Sequence, residues 1–426
     1  MIAPSFSLTA TERVLPRMAL DFTSGVLDSR VTFTRSTTGT YFNSAGVLTS
    51  AAINEARFDY NPTTLAPLGL LIEGQRTNLL TYSEDFTQAS YTKFSATVTA
   101  NTGTSPSGTL TADLLTPPAT TAYHGIISVV AVTASTAYSA SVFIKSDGAP
   151  FVQIGYDNGA SVGAFMNVNT VTGAITRGPE AAFAAPNPTG GVVSVGNGWF
   201  RVSVGATHTS ATGRILISIL PAGQSTAGQT PSTTTAVTDK LLIWGAQLEA
   251  GSFPTSYIPT VASQVTRAAD VAVMTGTNFS DWFNASAGTF RATYEASPNT
   301  FTTYLVASNG VTAQNSFHFD NDSGNMRAVY YSGSSAVATL GLGVLGTAGT
   351  VNSVASSYAV NNFVAARNAG TVVTDTAGAV PVSLTQLNIG ADPSGAAVNV
   401  MNTRIQKIYY YPLALTSAEV QAFSKG

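Results

Sequence analysis

Apolar and small polar residues alternate along most of this chain instead of recurring at the three-to-four-residue spacing of a helix. Tyr138, Ala140, Val142 and Ile144 fall on every second position, and residues 200–204, 214–220 and 240–244 are further short runs rich in Val, Ile, Leu and Phe. A period of two over runs this short predicts strands. Between the runs lies hairpin-turn chemistry, as in Asp157-Asn158-Gly159 and Asp322-Ser323-Gly324-Asn325. Many short strands punctuated this way predict an all-β protein of sandwiches or barrels rather than alternating α/β units. One helix is expected, at the C-terminal end. There Thr416-Ser417-Ala418-Glu419 fits a capping box, and Val420 and Phe423 follow on one face. At about two turns it is too short to be stable by itself, so it must pack against its sandwich.

The pattern divides the chain in three. Residues 1–78 are expected to form an N-terminal attachment region, with a hairpin-like stretch from 31–35 to Tyr41-Phe42 and turns at 43–46 and Asn61-Pro62. Residues 79–260 read as a first sandwich, closed by 244–247 and the Pro-containing segment 251–259. Residues 265–426 read as a second. The Gly/Thr-rich segment 223–237 has few large apolar groups and is expected to be an exposed loop.

Composition narrows the function classes. Only 10% of the 426 residues are charged, with 19 Lys+Arg against 22 Asp+Glu and a net charge of −3; an average soluble chain carries about 25%. With 44% hydrophobic residues the chain is not a disordered, solvating one. It has no basic excess to displace phosphate counterions, so nucleic acid is not an expected partner. Cysteine is absent, which excludes disulfides, thiolate metal sites and a cysteine nucleophile, and the chain is long enough to bury cores without such staples. Met1-Ile2-Ala3-Pro4-Ser5-Phe6 lacks the basic and apolar regions of a signal peptide, so synthesis in a cytoplasm, with no need of an oxidising compartment, is expected. Apolar runs such as 125–132 fall far short of the ~20 residues that span a bilayer, and no membrane span is expected.

Several motifs have the letters of an active site without its context. Gly159-Ala160-Ser161-Val162-Gly163 matches a nucleophile elbow, but that chemistry needs a strand-to-helix turn, and here strand-like residues flank a hairpin turn. Gly341-Leu342-Gly343-Val344-Leu345-Gly346 matches a dinucleotide fingerprint, yet Thr347-Ala348-Gly349-Thr350 is a poor start for the helix that would hold the pyrophosphate. Asp320-Asn321-Asp322-Ser323-Gly324-Asn325 resembles the opening of a calcium loop, although the position of the bidentate Glu is Tyr331. Asp320 and Asp322 are the candidate Ca²⁺ ligands, against a plain hairpin turn; no other cofactor is expected. His124, His208 and His318 are isolated in sequence, with no metal-ligand spacing. Glu84-Asp85 is the only adjacent acid pair, and strand neighbours point to opposite faces. Any two of the acids can still meet in space, so a glycoside hydrolase stays open. Trp199, Trp282 and Tyr330 are the candidates for stacking on sugar rings, with Trp244 considered beside them; core packing is the alternative for each.

Two stretches carry a resemblance. Thr32-Phe33-Thr34-Arg35-Ser36-Thr37-Thr38-Gly39-Thr40-Tyr41, then Gly69-Leu70-Leu71-Ile72-Glu73-Gly74-Gln75-Arg76-Thr77-Asn78-Leu79-Leu80 and Tyr82-Ser83-Glu84-Asp85-Phe86, resemble a module of tailed-bacteriophage virion proteins described as tail-fibre, head-spike or decoration proteins. In that family the module leads into a sandwich similar to carbohydrate-binding modules, which would close here at Trp244-Gly245-Ala246-Gln247-Leu248-Glu249 and Thr255-Ser256-Tyr257-Ile258-Pro259-Thr260. Leu387-Asn388-Ile389-Gly390-Ala391-Asp392, residues 404–411, Pro412-Leu413-Ala414-Leu415 and the capped helix resemble the closing half of concanavalin A-like, laminin-G-like jelly rolls. The resemblance implies tandem jelly-roll-like β-sandwiches after the attachment region, and a non-enzymatic virion structural protein on the capsid or tail surface. Its expected partners are other virion proteins, reached through the N-terminal region, and its own copies, a trimer being the first expectation. A bacterial surface glycan is a further expected partner, which makes a host-glycan receptor-binding protein one alternative and a polysaccharide depolymerase another. From the residues themselves, Gln75-Arg76-Thr77-Asn78 is polar within an apolar approach, and Arg76 paired with Glu73 is expected to pin the N-terminal region to the sandwich; a ligand contact is the other reading.

Overall fold

The computed structural model describes residues 6–7, 13–160, 162–182, 188–311, 314–393 and 399–426. The alternation predicted from sequence becomes two antiparallel sandwiches. In the first, one six-stranded sheet runs Tyr91–Phe94, Gly125–Ala131, Thr212–Leu220, Phe151–Asp157, Gly163–Asn169, Ile175–Ala182. The other runs Thr97–Thr104, Leu110–Thr116, Lys240–Ala250, Ala137–Asp147, Phe200–Thr207, Thr189–Ser194. Period-two positions such as Val142, Ile144, Val152, Ile154, Ile215 and Ile217 meet between the sheets and form the core. One strand changes phase. Leu241 and Ile243 face the core, and so do Ala246 and Leu248, because the register slips by one residue between the pairs Phe143/Trp244 and Ser141/Gln247. Gly245 sits at that bulge with φ +63°, and a Cβ there would lie 2.9 Å from the Phe143 ring. The bulge turns Trp244 and Gln247 out of the core, toward the rest of the molecule.

The Gly/Thr-rich segment, expected to be an exposed loop, is at the surface but is tied down. It lies over the outer face of the first sheet, where buried Gln153 and Asn167 hydrogen-bond each other at 2.8 Å. Gln153 Nε2 donates to Gly228 O and Thr230 N donates to Gln153 Oε1, both at 2.8 Å, while Asn167 Nδ2 donates to Ala227 O at 2.8 Å. Two buried amides without these carbonyl and amide partners would each be left with unmet polar groups.

The second sandwich is built from both ends of the chain. Its seven-stranded sheet runs Ser335–Val344, Asn325–Ser332, Ser316–Asp322, Phe301–Ser308, Gln386–Ile389, Val271–Thr275 and then Thr32–Thr34. Its eight-stranded sheet runs Val373–Asp375, Asn362–Arg367, Val351–Ala359, Ala287–Glu295, Thr403–Tyr411 and then Pro67–Ile72 and Phe58–Tyr60. One edge of Thr403–Tyr411 pairs with Ala287–Glu295; the other is shared by Pro67–Ile72 and Met18–Asp21. Residues 1–78 are therefore not a region set apart from the sandwiches. Met18, Leu20, Phe22, Phe33, Leu70 and Ile72 lie in the same core as Phe290, Phe317 and Tyr410. The expected hairpin from 31–35 to Tyr41-Phe42 is also replaced. Thr32–Thr34 pairs with Val271–Val273, and the hairpin is Gly39–Phe42 with Leu48–Ala51 across the turn at 43–46. Core-facing Phe33 is worth more against Ala272 and Leu387 than in a local hairpin, which explains the long-range choice.

The C-terminal helix, Ser417–Phe423, has the predicted capping box, and Val420 and Phe423 are buried against Tyr409 and Tyr411. A second helix of one turn, Thr277–Ser280, buries Phe279. No described helix is long and apolar enough to cross a membrane.

This topology predicts an asymmetric truncation. A fragment of residues 79–262 should give one cooperative calorimetric transition. Residues 79–426 should give the same transition and no second one, with 265–426 open to protease, because four strand partners and seven core side chains have been removed. A second cooperative transition in 79–426 would contradict this account.

Candidate functional site

Where the two sandwiches meet, the N-terminal segment covers the outer face of the first. Phe42 and Leu48 of the hairpin pack with Phe143, Val195, Trp199, Trp244 and Tyr257. The Trp244 and Tyr257 rings are 4.7 Å apart at 52°, and Phe143 lies edge-on to Tyr257 at 6.0 Å. Beside this aromatic half lies an ionic half with almost no solvent. Arg57, whose side chain is 0% exposed, donates Nη1 to Glu73 Oε2 at 2.7 Å and pairs through Nη2 with Asp270. Arg35 holds the other Asp270 oxygen at 3.0 Å, and Arg267 reaches Glu73 Oε2 at 3.0 Å. Ser256 completes the shell of Glu73: its N–H donates to Oε1 at 2.7 Å and its hydroxyl to Oε2 at 2.6 Å. The backbones close the same ring, Glu73 N donating to Asp270 Oδ2 at 2.8 Å and Asp270 N to Glu73 O at 2.9 Å. Burial works against the Glu73 carboxylate, but Arg267, Arg57 and the Ser256 donors outweigh it and hold its pKa well below the usual carboxylate range.

Two further clusters flank this centre. Arg404 donates Nε to Asp59 at 2.9 Å and Nη1 to Glu295 at 3.2 Å. Buried Asn78 uses its whole amide: Nδ2 donates to Ala246 O and Ile258 O, and Oδ1 accepts from Leu80 N and Leu248 N. Gln247 Oε1 accepts from Ile258 N at 2.7 Å, and Glu249 accepts from Thr255 N at 2.8 Å and from the Thr255 hydroxyl at 2.6 Å. Between the sandwiches a cavity of about 250 Å³ remains, with Tyr41, Phe42, Arg201, Ser203, Asn402 and Arg404 among its walls.

The expected site residues fall in different places. Glu73 is at the centre of the junction, but Arg76 is not its partner. Arg76 lies over the Phe253 ring and 3.7 Å from Glu249 of the first sandwich, so the two residues tie the junction through separate carboxylate–arginine pairs. Trp199 is 2% exposed and donates Nε1 to Thr104 O; Trp282 is 2% exposed and donates to Asn278 O; Tyr330 is 0% exposed and bonds the Ser356 hydroxyl. None of the three presents a face to a sugar, since burial among other apolar groups takes each ring out of reach. Trp244 is equally buried. Asp320 and Asp322 both pair with Arg327, at 2.9 and 2.6 Å, and the Ser323-Gly324 turn has the two positive φ values, 52° and 82°, of a tight hairpin. A guanidinium takes the place that a cation would need, and no cluster of metal-ligating side chains occurs among the described residues.

The other motifs settle into strands. Ser161 lies outside the described residues; its flanks pair as a hairpin, Asp157 opposite Gly163. The stretch from Gly341 to Val344 is strand, with no helix after it. His124 faces three backbone carbonyls, of Ser95, Thr120 and Thr233. His318 bonds the Ser316 hydroxyl, and burial pushes its pKa down to about 4. His208 stacks on Tyr156 at 5.2 Å. Arg35, Arg57, Arg267, Asp270, Asp59 and Arg404 escaped the sequence reading. Their only signal was scarcity: the chain is 10% charged, and any arginine it does bury needs a partner.

No known family profile matches this chain. No curated protein matches it either. Among solved structures, the chain is similar to the NanB sialidase from Streptococcus pneumoniae, at 15% identity and TM-score 0.31 over 35% of its own length. That similarity spans only 26% of the sialidase, about a quarter of it. It is also similar to the CBM40 of the Ruminococcus gnavus IT-sialidase bound to α2,3-sialyllactose, at 19% identity and TM-score 0.29, covering 33% of this chain and 82% of that one. Domain 4 of AbnA, a GH43 extracellular arabinanase from Geobacillus stearothermophilus solved with arabinotriose, matches at 10% identity and TM-score 0.29, covering 40% and 82%. These neighbours include carbohydrate-binding β-sandwich modules; at such scores they assign no ligand and no activity to this chain.

Two predictions follow from the geometry. Glu73→Gln leaves Arg57 and Arg267 facing a neutral amide and should destabilise the folded chain by about 3–5 kcal/mol at neutral pH. Because the folded pKa of Glu73 is depressed, its contribution is fully present above its ordinary value of 4.5 and is lost as pH falls below it. The stability difference between wild type and variant, measured by denaturant titration, should therefore narrow below pH 4.5; a constant difference down to acid pH would refute the assignment. Second, adding Ca²⁺ or EDTA should leave the thermal midpoint unchanged, since Arg327 already pairs with both Asp320 and Asp322.

Proposed function

We propose that this chain is a non-enzymatic structural protein of a bacteriophage particle, presenting two lectin-like sandwiches as one rigid body for adhesion to the host surface. The observation that carries the reading is a convergence. The separate stretches that resemble the virion module, from Thr32 to Tyr41, Glu73 to Leu80, Trp244 to Glu249 and Thr255 to Thr260, come together at one junction, where Thr40 bonds Tyr257 O and Glu73 and Asn78 bond the other two. A module whose recurring residues fix the angle between two domains suits an appendage that must hold its shape under load. The N-terminal segment leaves Leu15, Val26, Ile53 and Leu65 exposed, apolar groups available to a capsid or tail partner. Copies on a particle follow the symmetry of their attachment site, and a trimer is the proposed state.

The test is particle composition. In density-gradient-purified virions of the phage that encodes it, mass spectrometry should find the chain at a fixed copy number, and gold-labelled antibody should mark one place on the capsid or tail. Recovery of the chain only in the particle-free lysate would sink the proposal.

A further inference from the structure

The junction arginines are not all alike. Arg35, Arg57, Arg267, Arg76 and Arg404 each have a carboxylate within 4.0 Å. Among the described residues, Arg201 of the same junction has no such ion pair. It lies over the Phe143 ring at 5.3 Å, Nη1 donating to Thr255 O at 2.7 Å and Nη2 to the Ser141 hydroxyl at 2.9 Å. A guanidinium has five N–H donors, and neither of these two acceptors carries a charge. The carboxylates that act on Arg201 from farther away are Glu249 and Glu73, and both are already engaged, by Thr255, Gln247 and Arg76 in one case and by Arg57, Arg267 and Ser256 in the other. A half-buried cation held by neutral partners is the local arrangement that an incoming anion completes.

Arg201 forms part of the wall of the inter-sandwich cavity. That space of about 250 Å³ corresponds to roughly eight waters at ~30 Å³ each, below the usual range for drug-sized ligands and suited to one pyranose ring. Its walls are of several kinds: Glu73 and Arg404 also line it, each already ion-paired, along with aliphatic side chains such as Leu71 and Val195. Tyr41 and Phe42 supply aromatic surface, and Ser203 and Asn402 supply hydroxyl and amide groups. The mouth passes Val193, which is 61% exposed.

We infer that this cavity is a binding site for a single carboxylated sugar, its carboxylate on Arg201, its ring against Tyr41 and Phe42, and its hydroxyls toward Ser203 and Asn402. A neutral sugar lacks the group that Arg201 requires, and a simple carboxylate such as acetate lacks the ring. The inference extends the adhesion part of the proposed function. Its test uses the purified full chain alone, so failure to bind leaves the particle reading standing, and absence from virions leaves the site standing.

The experiment is calorimetric titration and saturation-transfer NMR with D-glucuronate, N-acetylneuraminate, D-glucose and acetate. Saturable binding of either acidic sugar is expected, at least tenfold tighter than glucose or acetate, and at least tenfold weaker in Arg201→Gln. Equal affinity for glucose, no binding by either acid, or binding that R201Q leaves unchanged would each overturn the site. Should R201Q not fold, Val193→Trp narrows the mouth without touching the ionic network. It should weaken binding of the acid while keeping the wild-type thermal midpoint, and undiminished binding in V193W would overturn the proposal equally.

Discussion

A fully buried guanidinium, Arg57, between two buried carboxylates, Glu73 and Asp270, is the constraint on which the arrangement of this molecule depends. Each of the three comes from a different part of the chain: the N-terminal segment, the step from that segment into the first sandwich, and the start of the second. Taking three charges out of water costs several kcal/mol each, and their attraction offsets that cost only with good geometry and satisfied remaining donors. Here Thr40 O and the Ser256 hydroxyl join Glu73 around Arg57 Nη1, Arg35 takes the other Asp270 oxygen, and Arg267 shares Glu73 Oε2 with Arg57. Such a network adds little net stability compared with an apolar core of the same volume. It penalises every other docking of the sandwiches severely, since any displacement strands a charge. The junction therefore fixes an angle more than it supplies free energy.

The topology gives that angle its leverage. Strand Thr403–Tyr411 is flanked on one edge by Ala287–Glu295 of its own sandwich and on the other by strands from residues 18–21 and 67–72. The second sandwich thus closes only when the two ends of the chain meet, with the first sandwich as a long insertion between them. Closure entropy grows slowly with loop length, so an insertion of this size is tolerated thermodynamically, and a prefolded first sandwich shortens the effective span. The hairpin Gly39–Phe42 and Leu48–Ala51 then lies on the outer face of the inserted unit. One segment belongs to the core of one sandwich and to the covered surface of the other, which leaves no hinge between them at that point.

The sequence made the fold class legible because period-two alternation and turn chemistry are local. The capping box at Thr416 and Glu419 was legible for the same reason. Partner choice was not, because Thr32–Thr34 carries no mark that distinguishes a neighbour seven residues away from one at Val271–Val273. The site candidates fared according to how far their chemistry is local. Trp199, Trp282 and Tyr330 have aromatic faces suited to sugars, yet whether a ring is exposed depends on the sheet opposite, which the pattern does not encode. Asp320 and Asp322 left a calcium site open beside the hairpin turn, and only the placement of Arg327, across the hairpin, on both carboxylates separates the two. Glu73 was read as the partner of nearby Arg76, whereas the guanidiniums it meets, Arg57 and Arg267, lie 16 and 194 positions away along the chain.

The same network bears on how the molecule can recognise anything. Six arginines, Arg35, Arg57, Arg76, Arg201, Arg267 and Arg404, are gathered at the junction out of 19 basic residues in all. The outer surface is left to Thr, Ser, Asn and Gly, with little charge to steer an approaching partner over distances beyond a Debye length. Encounter then proceeds without strong electrostatic acceleration, and specificity must come from short-range fit in enclosed places, of which the junction cavity is one. A single small site of that kind binds weakly, because one ring and one charge supply few contacts to set against the freedom lost. On the proposed particle, rigid presentation of several copies would alter that balance, since each further copy would engage at a high effective concentration without first ordering a hinge. Burying charge at the junction and tolerating weak individual sites are, on this argument, two consequences of the same architecture.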